Sequence, residues 1–187
     1  MKGRVNSMKL SEEDGKLFYR LWLPLLSYTN FRLKVTGKIW KTENEKKLDY
    51  VEMKKIANKL WENTDIIDDY LKEHPELPED HKAIIASWKR RITGKFFMER
   101  HLKKGTVFIG GNDEVYLVKG ILSTWEEMFF GAPMPLMLDA TFIPFRDVII
   151  SDGLVQSYMI YMGSGIRRML KDEYMAAKKE NRIHCSL

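Results

Sequence analysis

In Gly94-Lys-Phe-Phe-Met-Glu-Arg-His-Leu-Lys-Lys-Gly-Thr-Val-Phe-Ile-Gly-Gly-Asn-Asp-Glu-Val-Tyr-Leu-Val118 the apolar residues stop recurring at helical spacing and begin to alternate. A change of period from about 3.6 to 2 marks helix giving way to strand. Phe96-Phe-Met98 leads into Glu99-Arg-His101, and Thr106 to Ile109 is β-branched or aromatic throughout. Gly110-Gly-Asn-Asp113 has turn composition, so Val115 to Val118 is expected to pair back as a hairpin.

Working upstream, the spacing predicts helices. Ser11-Glu-Glu-Asp14 reads as a variant capping box opening a helix with Leu17, Leu21, Leu25 and Tyr28 on one side. Pro24 is expected to kink or divide it. Asp49 with Glu52 opens a second helix carrying Met53, Ile56, Ala57 and Leu60 at helical spacing. A third runs over Asp65 to Glu73 and ends at His74-Pro-Glu-Leu-Pro78, because each proline disfavours helix in the residue before it. Asp80 then caps a fourth, with Ile84, Ile85 and Trp88 inward.

Downstream, Ser123 and Glu126 suggest a short capped helix over 124–130. Leu138 to Ile143 alternates as a strand, Pro144-Phe-Arg-Asp147 reads as a turn, and strands are expected at 148–150 and 155–161. Gly163-Ser-Gly165 delivers the chain into a last helix over 166–180, with Met169, Leu170 and Tyr174 as its apolar stripe. The fold class is therefore α+β: an N-terminal helical bundle, a small antiparallel β-sheet or barrel of the SH3-like or OB-like type, and a C-terminal helix. A boundary near Gly94 gives a helical region, 1–93, and a β-rich region, 94–187. The dense aromatics around Trp88 also admit one compact body.

With 187 residues, 44% of them hydrophobic and 12% aromatic, the chain can bury a core without covalent staples. Its one cysteine, Cys185, permits neither an intramolecular disulfide nor a cysteine zinc site, and points to a reducing compartment. The polar N-terminus carries no secretory pattern. The uncharged runs at 128–138 and 153–166 are interrupted by glycine, proline or polar residues, so no membrane span and a cytoplasmic location are expected.

From Pro144 to Leu187, Pro-Phe-Arg-Asp-Val-Ile-Ile-Ser-Asp-Gly-Leu and then Gly-Ser-Gly-Ile-Arg-Arg-Met-Leu resemble the C-terminal part of a set of uncharacterised bacterial proteins. Some of those carry a SEC-C type cysteine-rich zinc tail. The resemblance implies a bacterial origin, and is strong over the last quarter of the chain and weak over the helical half. After His184-Cys-Ser-Leu187 there is no counterpart of the zinc tail, so zinc binding is not implied.

Chemistry-bearing residues are scattered. His74, His81, His101 and His184 show no metal-ligand spacing. Asp139, Asp147 and Asp152 near strand ends could supply acid and base, but turn chemistry explains the last two. Ser164, Gly165, Arg167 and Arg168 form a candidate anion site, free amides and guanidiniums both attracting phosphate. Charge is the more informative signal. Eight acids stand against Lys72 alone between Glu62 and Asp80, and eight bases against Glu99 alone between Lys82 and Lys104. The basic strip Lys89, Arg90, Arg91, Lys95, Arg100, Lys103 and Lys104 is the candidate nucleic-acid-binding surface, and the overall charge of +5 permits it. No cofactor is called for. The sequence thus leans away from an enzyme and towards a bacterial binding or interaction module, with nucleic acid the first partner and protein the second. The alternative is an enzyme or binding protein acting on a phosphorylated small molecule at Gly163 to Gly165.

Overall fold

Asp49 shows why the helices begin where they do: its carboxylate accepts the amides of Val51 and Glu52 and so satisfies donors that an α-helix leaves orphaned. In the computed structural model, which describes residues 7–37 and 49–187, this cap opens helix α2, Tyr50–Glu62. Before it lies α1, Glu12–Leu33; after it come α3, Asp65–Glu73, and α4, Glu79–Ser87, followed by a 3-10 turn over Trp88–Arg90. Ser11 caps α1 as expected, its hydroxyl accepting the Asp14 amide at 3.1 Å. Pro24 neither divides nor ends α1. The lost backbone bond costs about 3 kcal/mol, while Leu21, Trp22, Leu25 and Leu26 around it are all buried, which outweighs that cost. At α4 the cap is Pro78 rather than Asp80, which sits inside the first turn.

The strands are β1, Ile92–Leu102; β2, Gly105–Ile109; β3, Val115–Lys119; β4, Leu136–Phe145; β5, Val148–Ser151; β6, Gln156–Tyr158; and β7, Ile183–His184. Between β3 and β4 lies the short helix α5, Trp125–Met128, opened by a capping box of Thr124 and Glu127. Helix α6, Ser164–Lys179, follows β6. Two compact units result: Leu17–Lys89, and Arg90–Leu187 with the described residues through Lys16.

The sheet is mixed, not purely antiparallel. Hairpins join β1 to β2 and β2 to β3, but β3 pairs in parallel with β5 and with β7. The reason is topological: the chain leaves β3 through α5 and β4, so β5 returns in the direction of β3. β1 also pairs with β4 from Ile92 opposite Phe142 to Met98 opposite Leu136, so the pairings run β1, β2, β3, β5, β4 and back to β1. Pro144 lies inside β4, not in a turn. There, among the described strands, β4 pairs with β5 and no longer with β1, which suits a residue without an amide hydrogen.

Alternation along the strands separates two cores. Phe96, Met98, Phe108, Tyr116, Val118 and Phe142 share one face with Trp125 of α5. Val107, Ile109 and Val115 share the other and are covered by Leu170, Tyr174 and Ala177 of α6. Both faces of β2 are thereby buried, which is why Thr106 to Ile109 reads as a continuous apolar run instead of an alternating one. Met169, expected in the α6 stripe, is 58% exposed; the inward positions are 170, 174 and 177. The tail is tied down by β7, whose register sets Val115 opposite Ile183 and Tyr116 opposite His184.

Candidate nucleic-acid interface

A strand rises about 3.3 Å per residue, so bases that look adjacent in sequence can stand far apart on β1. Lys95 and Lys103 are separated by about 26 Å on that rise. The strip therefore falls into groups. Lys89 belongs to the helical unit and bonds Asp68. In that unit Arg32 takes two more of the acids, Glu73 at 2.8 Å and Asp69 at 3.1 Å. Arg90 is exposed and Arg91 half-buried at the start of the other unit. Lys95 stands opposite Asp139 of β4, its ammonium 5.4 Å from the centroid of Tyr158, whose hydroxyl donates to Asp139.

At the far end of β1, Arg100 has two partners. Its Nη2 donates to Glu99 at 2.8 Å, and its guanidinium lies 4.1 Å over the ring of Tyr174. The hydrogen bond to Glu99 raises the guanidinium pKa above its ordinary value. Beyond it, Lys103 and Lys104 are exposed in the β1–β2 turn. Tyr174 also identifies two residues that sequence reasoning missed. Lys171 precedes it by three residues and Lys178 follows it by four, each about one helical turn away on the same side of α6, and both are exposed. Among the described residues, no carboxylate forms an ion pair with Lys103, Lys104, Lys171 or Lys178. The signal that could have found them is the i, i+3, i+7 set Lys171, Tyr174, Lys178, which has a basic flank beside a buried ring.

The candidate anion residues are occupied by their own chain. Arg167 Nε donates to the Met162 carbonyl at 2.9 Å, with its guanidinium 4.8 Å over Tyr161, and Arg168 lies 3.7 Å from Asp172. Gly163 occupies the N-cap, with Ser164 and Gly165 following as the first residues of α6. The three aspartates have separate engagements: Asp139 with Tyr158, Asp147 with the buried Lys119 through its charge, and fully buried Asp152 with the Leu154 amide at 2.9 Å. Among the described residues no three His, Cys, Asp or Glu side chains gather as a metal-ligand set, and no helix is long and apolar enough to cross a membrane.

His101 neighbours this end of β1, its Nδ1 2.9 Å from Thr106 Oγ1. Burial holds its pKa below the ordinary imidazole value, with Glu126 opposing more weakly. The unfolded chain therefore takes up the proton first as pH falls. The stability this histidine contributes is intact above the unfolded value of 6.5 and is lost as pH falls through the lower folded one. The urea midpoint is expected to drop between about pH 7 and about pH 5, and to drop less in His101→Gln. Equal slopes in the two proteins would exclude His101 as the source.

Comparison with protein-family models, with curated proteins and with solved structures returns no match.

Proposed function

We propose that the β-rich unit is an OB-type barrel that binds single-stranded nucleic acid without catalysing a reaction on it. The observation that carries this reading is the return of the pairing from β4 to β1. Five strands in the order β1, β2, β3, β5, β4, with β3 and β5 parallel and a helix between β3 and β4, support reading the sheet as an oligonucleotide- and oligosaccharide-binding barrel. In that role Trp125 of α5 is the plug of the barrel interior, packed among Phe108 and Phe142.

Such barrels bind along the outer face of strands 2 and 3 and at the loop joining strands 1 and 2. Here α6 covers the outer face, since Val107, Ile109 and Val115 lie beneath Leu170 and Tyr174. The ligand is therefore assigned to the rim: Lys103 and Lys104 in the β1–β2 turn, with Lys171 and Lys178 on the flank of α6 nearest Arg100. This surface presents lysines to a backbone of phosphates, contacts that favour affinity over sequence preference.

Fluorescence anisotropy with a labelled oligothymidylate tests the reading. Micromolar binding is expected at ~50 mM salt, weakening by about 0.7 log units per log unit of salt for each phosphate neutralised. Replacing Lys103, Lys104, Lys171 and Lys178 by Gln flattens that dependence, whereas Arg90→Gln with Lys95→Gln alters it little. No binding at ~50 mM salt, or a slope indifferent to the four lysines, overturns the assignment.

A further inference from the structure

The chain turns sharply as it leaves β6, the Ile160 amide donating to the Tyr158 carbonyl at 2.8 Å. The residues of this turn are apolar and open to solvent: Met159 is 77% exposed, Ile160 49% and Tyr161 78%. Ile166 and Met169, three residues apart and so on one side of α6, are 41% and 58% exposed. Apolar exposure that is clustered in this way marks an interaction surface. The charge around it has one sign. From Gly153 to Lys171 the chain carries Arg167, Arg168 and Lys171 and no acid. Arg168 lies 3.7 Å from Asp172, but the two side chains are 85% and 68% exposed. A pair so fully solvated is weak, and its cation can exchange one anion for another. The Arg167 guanidinium stands 4.8 Å over the Tyr161 ring.

We infer that this turn is a peripheral membrane-binding element, inserting Met159 and Ile160 into the surface of an anionic bilayer with Arg167 and Arg168 among its headgroups. Charge selects the sign of the partner: a run with three bases and no acid complements an anionic surface. Shape selects lipid. Met159, Ile160 and Tyr161 are consecutive in a turn, so their side chains leave it in different directions, and one flat protein face cannot cover all three. A headgroup layer is fluid and closes around each. Tyr161 with a guanidinium on its ring suits the headgroup level, where amphipathic aromatic and basic side chains collect. A few apolar side chains are a weak anchor by themselves, as a single acyl chain is, and stable attachment takes a second signal such as a cluster of bases. Here the apolar turn and the bases lie within thirteen residues of one another. The association is with the surface, since among the described residues no helix is long and apolar enough to cross a membrane. Arg167 and Arg168 are not among the lysines assigned to nucleic acid, so the inference stands or falls independently of that assignment.

Co-sedimentation of the full chain with sucrose-loaded vesicles tests it. At ~0.1 M salt the protein is expected to pellet with phosphatidylcholine vesicles containing about one-quarter phosphatidylserine, and not with phosphatidylcholine alone. Arg167→Gln with Arg168→Gln weakens binding about 25-fold, or about five-fold for each base at the surface. Met159→Ser with Ile160→Ser weakens it about tenfold or more, with near-ultraviolet circular dichroism retained. A second measurement does not depend on those variants folding. With the native thiol removed by Cys185→Ser, a nitrobenzoxadiazole label on Ile160→Cys shifts to the blue when phosphatidylserine vesicles are added. The same label on Asn112→Cys does not shift. That residue is exposed in the β2–β3 turn, and β2 and β6 run in opposite directions, so the two labels leave the sheet at opposite ends. Failure to pellet with phosphatidylserine, or equal pelleting on the two lipids, overturns the proposal and leaves the turn to a protein partner. Pelleting undiminished in the serine variant, with no blue shift at position 160, also overturns it, because lysines elsewhere then account for the binding.

Discussion

Gly120→Ala is expected to destabilise the β-rich unit by about 3 kcal/mol or more, at or beyond the upper end of the usual cost of overpacking. A Cβ at this position would stand 1.9 Å from the Ser123 carbonyl oxygen, 2.9 Å from its carbon and 3.0 Å from Thr124 Cα. All three are backbone atoms, so no rotamer change relieves the clash. Neither side can retreat cheaply. The Gly120 amide donates to Met8 and its carbonyl accepts the Leu10 amide, both at 2.9 Å, fixing the N-terminal segment to the end of β3. On the opposite side Thr124 is the cap of α5, exchanging bonds with Glu127 at 2.7 and 3.1 Å. Relief therefore requires loss of the N-terminal tie or of the cap. Urea denaturation gives the measurement, with Gly111→Ala as the control: nothing lies within 4 Å of its added Cβ, so its change should stay within about 0.5 kcal/mol. Equal effects at the two glycines would show that position 120 is not pinned.

The residues that made the helices legible are those whose partners are near in sequence. In α2, Met53, Ile56, Ala57 and Leu60 recur at helical spacing and all are buried; α3 has the bounds that its flanking Asp65 and His74-Pro75 imply. The strands of the hairpins were legible for the same reason, a turn of two residues joining β1 to β2 and one of five joining β2 to β3. The partners of β4 were not legible. β1 and β4 meet through residues such as Phe96 and Leu138, forty-two positions apart in the chain, and no local pattern specifies which distant strand will complete a sheet. The short β7 escaped because two residues carry no periodicity; only its pairing with Val115 and Tyr116 reveals it.

The candidate surface failed to read cleanly for a related reason. Lys95 and Lys103 look like one run because sequence distance takes no account of extension, whereas an extended strand separates them. Lys171 and Lys178 look remote because they lie some seventy residues on from Lys103, yet Tyr174 between them carries Arg100 on its ring. Tyr174 could be recognised from its spacing as a core residue. That the same ring would also hold a guanidinium from β1 depends on α6 lying across β1 and β2, a tertiary fact. Exposed Met169 marks the opposite error: a methionine at helical spacing satisfies the pattern of a buried stripe while occupying the flank.

Trp125→Ala is expected to cost about 3–5 kcal/mol, the range for removing a large aromatic from a close-packed core. The indole is 1% exposed, meets Phe108 edge-on at 4.8 Å and stacks on Phe129 at 6.1 Å. Among the described residues its N–H has no hydrogen-bond partner. A buried donor left unsatisfied is unfavourable by about 1–3 kcal/mol, so the residue stabilises by packing alone. Trp125→Phe then removes the unpaired donor together with part of the packing, and the two changes oppose one another. Its expected cost is about 1 kcal/mol, within the range of modest core reshaping, and well below that of alanine. A phenylalanine as damaging as alanine would mean that the N–H is bonded in solution, by water or a ligand in the core. The same pair of variants separates stability from binding. Phe108 lies in β2 beneath Trp125, but the lysines assigned to nucleic acid are on the turn and on α6, outside that core. Below its melting transition Trp125→Ala should bind oligothymidylate with the wild-type salt dependence, because the number of phosphates neutralised is unchanged. A flattened slope in a folded Trp125→Ala chain would place the nucleic-acid contact at the α5 end of the sheet and remove it from the β1–β2 turn.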